Sequence, residues 1–383
     1  MLLTDVERVR EPAADPIGET AARPDPAATD RGSIDLLRGV VCLGVVIMHD
    51  HSAFPGPMGG PTAGRAVEFG LAYLRPGVES FFVLGGYFLA HTFRPSEARF
   101  LSIPRHALRR ILRLAVPYWV VVASLFLAAW AANVVAGRSN PLPGAWQVAA
   151  ALFFVQDIFV DKYFPFFTLW SMAPLFQSYV AWALAYWTIR RLALRAAPES
   201  YQAITPRVMA GLAYVCCLAS IGFTIMVPDA GWQLPGWAWA FALGALTYWR
   251  TRREVGRLPF AATLLIVLAG SMLAGGLAVI AAKAVACSLL LLGLGRGYRA
   301  PDGPVARALG FVGQRSYSIY LVHGPVGFRL IGWMAAASPP RTQAMILAQF
   351  SATLAAGVAA GFVFYRLVEQ PSARLSARVE YRR

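Results

Sequence analysis

Long apolar runs, with arginines distributed unevenly between them, constrain this chain more than any other feature. The runs fall at about 36–53, 71–92, 114–136, 168–189, 208–227, 234–250, 258–275, 277–295, 311–335 and 342–366. Each approaches the roughly 20 residues that a helix needs to cross a bilayer. Charged residues make up only 14% of the chain, against 57% hydrophobic, whereas a soluble protein carries about 25% charged residues. A transmembrane barrel would show short alternating strands instead. The expected fold is therefore all-α: a polytopic membrane bundle of about ten helices, with the block 258–295 divided near Gly275-Gly276.

A formal charge of +15 would point toward nucleic acid in a soluble protein; here its placement reads as topology. One side collects the N-terminal arginines, the loop from Arg94 to Arg113, Arg190 to Arg207, Arg250 to Arg257, Arg296 to Arg307, and the tail from Arg366 onward. The other side keeps only Arg65, Arg75, Arg138, Lys162 and Arg341. This asymmetry puts both termini in the cytoplasm. Residues 145–160 are apolar but too short to span, and counting them would invert every later loop. They are expected as a re-entrant or interfacial segment at the outer face. Residues 1–31 read as a disordered tail, 32–372 as one membrane domain, and 373–383 as a basic cytoplasmic tail.

No metal-ligand spacing is present, and Cys42, Cys216, Cys217 and Cys287 sit inside apolar runs as small hydrophobes. The first run places Arg38 and His49 on one helical face, about 16 Å apart along the axis. Ionisable groups inside a membrane segment mark function by default. An anchoring arginine and a snorkelling histidine would also fit this stretch.

Five ordered stretches are similar to the acyltransferase-3 family of integral membrane acyltransferases. They are Asp35-Leu-Leu-Arg38-Gly with His49; Gly77-Val-Glu79-Ser-Phe-Phe-Val-Leu-Gly-Gly-Tyr; Arg109-Arg110-Ile-Leu-Arg113 with Pro117-Tyr118; Ser316-Tyr-Ser-Ile-Tyr320-Leu-Val-His323-Gly-Pro325; and Leu367-Val-Glu369-Gln-Pro371. One stretch departs from the pattern. Leu169-Trp170-Ser171-Met-Ala-Pro-Leu175-Phe176-Gln177 resembles a family motif that carries two glutamates where Leu175 and Phe176 stand. Glu79 replaces the usual aspartate.

The resemblance implies transfer of an acetyl or other short acyl group from cytoplasmic acyl-CoA, with no bound cofactor. The acceptor would be a hydroxyl of a periplasm-facing polysaccharide or lipid-linked sugar, in a bacterial-type inner membrane. Arg38, Arg110 and Arg113 would grip the donor phosphates, since guanidinium forks bind such oxygens bidentately and stay charged. His49 would act as general base, its ordinary pKa near 6.5 suiting neutral pH, or would itself carry the acyl group. Glu79 or Asp50 is placed to fix its tautomer, with Trp170, Tyr320 and His323 as supporting residues; a packed, hydrogen-bonding role also suits His323. Glu369 is expected to pair with an arginine. Two other readings stay open: acylation of a lipid or secreted natural product, and transport of an anionic solute. Expected partners are acyl-CoA, the acceptor and the bilayer, and not nucleic acid.

Overall fold

The computed structural model describes residues 31–53, 77–93, 108–137, 142–159, 167–227, 233–274, 277–337 and 342–379. Those residues form helices and no strand. In order they are α1 (Arg31–Ala53), α2 (Val78–Thr92), α3 (Val116–Ala136), α4 (Ala145–Leu152), α5 (Gln156–Phe159), α6 (Met172–Ala196) and α7 (Tyr201–Met226). There follow α8 (Leu234–Thr251), α9 (Arg257–Leu273), α10 (Ala278–Leu294), α11 (Pro304–Gln314), α12 (Ser316–Ala337), α13 (Gln343–Phe364) and α14 (Gln370–Arg378). A helix occupies each of the expected apolar runs. By length and composition, the four helical stretches Arg31–His51, Leu108–Val135, Tyr201–Met226 and Ala344–Arg378 can cross a membrane. The remaining helices are shorter, such as α9 and α10 at 17 residues each, or carry basic residues, such as Arg190, Arg191 and Arg195 in α6. The expected disordered tail up to residue 30, the boundary at Gly275-Gly276, and Arg65, Arg75, Arg138, Lys162 and Arg341 lie outside the described residues. The expected basic tail is helical as far as Arg378.

Two groups of helices pack side by side. In the first, α8 is buried without interruption from Trp239 to Arg250, as expected of a helix that is apolar on every face. It packs on α2 through paired glycines. A Cβ on Gly86 would lie 1.8 Å from the Phe241 carbonyl oxygen, and one on Gly244 would lie 1.9 Å from that of Val83. Only glycine permits such backbone approach, the usual device where lipid removes the hydrophobic drive between helices. Phe82 stacks on Trp237 at 5.1 Å and completes this contact.

The second group joins α1, α11, α12 and α13 and uses the same device. A Cβ on Gly39 would lie 2.0 Å from the Leu309 oxygen, and one on Gly313 would lie 1.7 Å from that of Asp35. Where one span over 311–335 was expected, the chain breaks at Arg315, whose φ of −112° and ψ of 8° leave the helical region. Its guanidinium folds onto Phe311, 3.5 Å from the ring centre. The break starts α12 at Ser316 and buries a helix N-terminus inside the protein. Orphan amides and the positive end of the dipole there call for an anion. Glu369 supplies it, accepting from the Ser318 amide at 3.1 Å and the Ser318 hydroxyl at 2.5 Å. Its direct partner is thus a helix end, not the expected arginine.

Residues 145–159 form two short helices, neither long enough to span a bilayer alone. Between them Phe154 sits at a φ of +57°, a costly conformation for a bulky side chain. Its surroundings hold it there. The ring lies between Tyr118 at 4.6 Å and Phe176 at 4.1 Å, and its carbonyl accepts from Gln177 Nε2 at 2.7 Å. Gln177 Nε2 also donates to Asp157 Oδ1 at 2.6 Å, and Asp157 Oδ2 accepts from the Leu234 amide at 3.3 Å.

Candidate active site

Between the two groups lies a cavity of about 590 Å³. Its wall follows α2 from Val78 through Phe81, Phe82, Gly85 and Phe88 to Thr92, about 20 Å at the helical rise. One end is basic: Arg38, Arg109, Arg110 and Arg113 line it beside His91 and Thr92. The other end holds the hydroxyls of Ser171 and Tyr320 among apolar side chains. The cavity therefore offers anion binding at one end and a drier, hydroxyl-lined chamber at the other.

Each arginine is held differently. Arg38 Nη1 lies 3.5 Å from Asp35 Oδ1, and its Nη2 donates to Ser316 Oγ at 3.1 Å. Arg110 rests on the Tyr179 ring at 4.4 Å, a cation–π contact that orients its planar fork. Arg113 is exposed to the cavity. Arg113 lies in a π turn, Ile111–Ala115, and Arg110 directly precedes it, within a helical stretch that begins at Leu108 and runs into α3. Such turns recur at functional sites because they reorient side chains within a helix.

His49 and His323 meet at the far end. Both are buried, 5% and 1% exposed. Their rings stack with centroids 5.0 Å apart, and His49 Nδ1 lies 2.8 Å from His323 Nε2. The tautomers follow from the network. His323 Nδ1 approaches the carbonyl oxygens of Tyr320 and Ile319 at 2.7 and 3.2 Å, so that nitrogen carries the proton. His323 Nε2 is then the acceptor, His49 Nδ1 donates to it, and the lone pair of neutral His49 resides on Nε2. The histidine pair adjoins the cavity through Tyr320, whose ring centre lies 5.8 Å from that of His323. Tyr320 donates to the Thr168 carbonyl at 2.8 Å, so the 2.7 Å contact with Ser171 has the serine as donor.

Glu79 and Asp50 are the carboxylates expected beside His49. Glu79 Oε1 accepts from the Gly77 amide at 2.6 Å and closes the first turn of α2. Asp50 is 1% exposed, and neither of its oxygens has a hydrogen-bond partner among the described residues; it faces Gly327 and Thr353. The group on His49 Nδ1 is His323. Trp170 packs on Trp237 at 5.5 Å and does not line the cavity. Leu175 and Phe176, where the family motif has acids, do line it; Leu175 abuts Gly85, and Phe176 supports the strained Phe154. The site also recruits residues that sequence reasoning passed over: Ser316, which orients Arg38, and Tyr179, which carries Arg110. Ser316 opens a recognisable motif, whereas nothing in the sequence links Tyr179 to an arginine so far upstream.

A helical membrane protein whose internal cavity holds a guanidinium cluster, with a buried imidazole pair behind its Tyr320 wall, has the parts of a group-transfer enzyme working on an anionic donor. The family model Acyl_transf_3, described as an acyltransferase domain, matches residues 31–366, nearly the whole chain. The chain belongs to this acyltransferase-3 family and is a membrane acyltransferase. No curated protein and no solved structure matches it.

Proposed function

We propose that this enzyme transfers an acetyl or other short acyl group from cytoplasmic acyl-CoA to a hydroxyl of a periplasm-facing polysaccharide or lipid-linked sugar. The observation that carries the reading is the cavity running from the guanidinium cluster to Tyr320, which packs against His323, itself paired with His49. Arg38, Arg110 and Arg113 bind the phosphates of the donor, and its flexible arm extends along α2 so that the thioester reaches Ser171 and Tyr320. The arginine asymmetry of the loops supports a multi-pass bacterial-type inner-membrane protein with both termini cytoplasmic. The basic end of the cavity then faces the side that holds acyl-CoA.

His49 Nε2 takes the proton of the acceptor hydroxyl, and the oxygen attacks the thioester carbon. The tetrahedral intermediate collapses with C–S cleavage, and the departing thiolate recovers the proton from His49. His323 keeps His49 in the tautomer that presents Nε2 and accepts the hydrogen bond from Nδ1–H when the ring is charged, as the third group of a catalytic triad does. In the two-step alternative His49 Nε2 attacks first and carries the acyl group.

The test is thioester turnover by purified protein with radiolabelled acetyl-CoA. His49→Ala is expected to lower kcat by a factor of about 10² to 10⁴ while leaving CoA binding intact. Undiminished turnover in that variant would remove His49 from the chemistry. Labelled protein trapped with donor alone would establish the acyl-imidazole route.

A further inference from the structure

The turn that bears Arg113 and adjoins Arg110 is held from outside by a helix downstream of the family match. A π turn widens the helical ladder by one residue and alters the hydrogen bonding of its carbonyls. Around Ile111–Ala115 three such oxygens meet hydroxyls brought from distant parts of the chain. Ser372 Oγ donates to the Leu112 oxygen, Ser376 Oγ donates to the Arg109 oxygen at 2.9 Å, and Tyr317 Oη donates to the Leu114 oxygen. The contact is reciprocal, for Arg109 Nε donates to the Ser376 carbonyl at 3.0 Å.

Ser372 and Ser376 are one turn apart on α14, so they share a face. Both are buried, 4% and 6% exposed. Ala373 and Ala377 flank them, and Ala373, Ser376 and Ala377 line the basic end of the cavity with Arg109, Arg110 and Arg113. This small-residue face lets α14 lie against the arginine turn. A second π turn, Tyr365–Glu369, directly precedes α14 and offsets it from the line of α13. Its last residue is Glu369, the anion at the start of α12.

We propose that Ser372 and Ser376 are positioning residues for the donor site: by fixing the Arg109 and Leu112 carbonyls they set the register of the π turn that aims Arg110 and Arg113 at the donor phosphates. The assignment rests on the reading of that cavity end as the acyl-CoA site. It differs from a purely structural role because it concerns the charged part of the donor alone.

The experiment compares two donors, acetyl-CoA and the phosphate-free thioester acetyl-pantetheine, with the wild type, Ser372→Ala, Ser376→Ala, the double variant, and Arg110→Ala/Arg113→Ala. The double serine variant is expected to raise KM for acetyl-CoA about tenfold with kcat unchanged, and to leave turnover of acetyl-pantetheine at the wild-type level. If the double variant does not fold, the single variants are expected to show the same split at roughly threefold. Equal loss with both donors would reduce the serines to structural residues and overturn the proposal, as would an unchanged KM for acetyl-CoA. The arginine variant separates this from the functional reading. If its KM for acetyl-CoA matches the wild type, the donor site is misplaced and the proposal falls with it; if its KM rises while the serine variants stay at wild type, the proposal alone fails.

Discussion

The seam between α2 and α8 and the seam that binds the arginine turn to α14 and α12 are built on opposite principles. The first brings Gly86 and Gly244 against opposing carbonyls and lays Phe82 on Trp237; shape alone gives it register. The second is made of directed bonds from Ser372, Ser376 and Tyr317 to backbone oxygens, with Glu369 closing the start of α12. Close glycine packing tolerates no added atom, but the atoms it orders do no chemistry. Hydroxyl-to-carbonyl bonds are individually modest, about 1 kcal/mol, yet each one sets the orientation of a segment that carries charge. In this molecule the scaffold is specified by exclusion and the site by direction.

Breaking the scaffold seam is expected to give the largest effect. Gly244→Leu places a branched side chain where a Cβ already falls 1.9 Å from the Val83 oxygen, an overpacking that costs about 3 kcal/mol or more. Little folded protein should be recovered from membranes, measured by size-exclusion profile and thermal midpoint in detergent. Near-normal recovery would show that the two helices can separate, and the contrast between the seams would lose its first half.

Breaking a directed bond in the site should leave the fold and remove the activity. His323→Ala deletes the acceptor of the His49 Nδ1 proton. A loss of about 100-fold in kcat, or about 2.7 kcal/mol, is expected at an unchanged KM for acyl-CoA, because the guanidinium end is untouched. His323→Gln, whose amide oxygen can accept the same proton, should recover part of that loss. An equal defect in both variants would argue against tautomer control.

The smallest effect should come from a directed bond placed inside the scaffold. Thr247 and Ser288 share a 2.6 Å hydroxyl contact between α8 and α10, and Thr247 Oγ1 also donates to the Leu243 carbonyl. Ser288→Ala leaves Thr247 a partner, so it should cost about 1 kcal/mol of stability and leave turnover at the wild-type value. If turnover fell, polarity rather than location would decide which bonds matter, and the comparison would need redrawing.

The two seams also differ in how far the sequence discloses them. Apolar runs mark nearly every helix because burial in lipid acts on composition, and composition is local. The motif around Ser316 to His323 brought forward the histidine that supports His49, but not the role of the serine that opens it and orients Arg38. Other features depend on contacts no window contains. The hydroxyl bonds of Ser372 and Ser376 reach back 260 and 267 positions, and serines in a polar tail have many ordinary explanations. The π turns add one residue to a helix and leave its apolar pattern intact, and the break at Arg315 falls inside the stretch 311–335 that reads as one span. The use of Phe176 was equally hidden. Only beside Phe154 and Tyr118 does its aromatic ring acquire a purpose.

His49 and His323 lie 274 positions apart, on helices near opposite ends of the described chain. A ribosome making this protein threads α1 into the bilayer long before α12 exists, so every shorter nascent chain holds one imidazole without its companion. Under the proposed mechanism, the reactive imidazole pair is assembled only as the last helices insert.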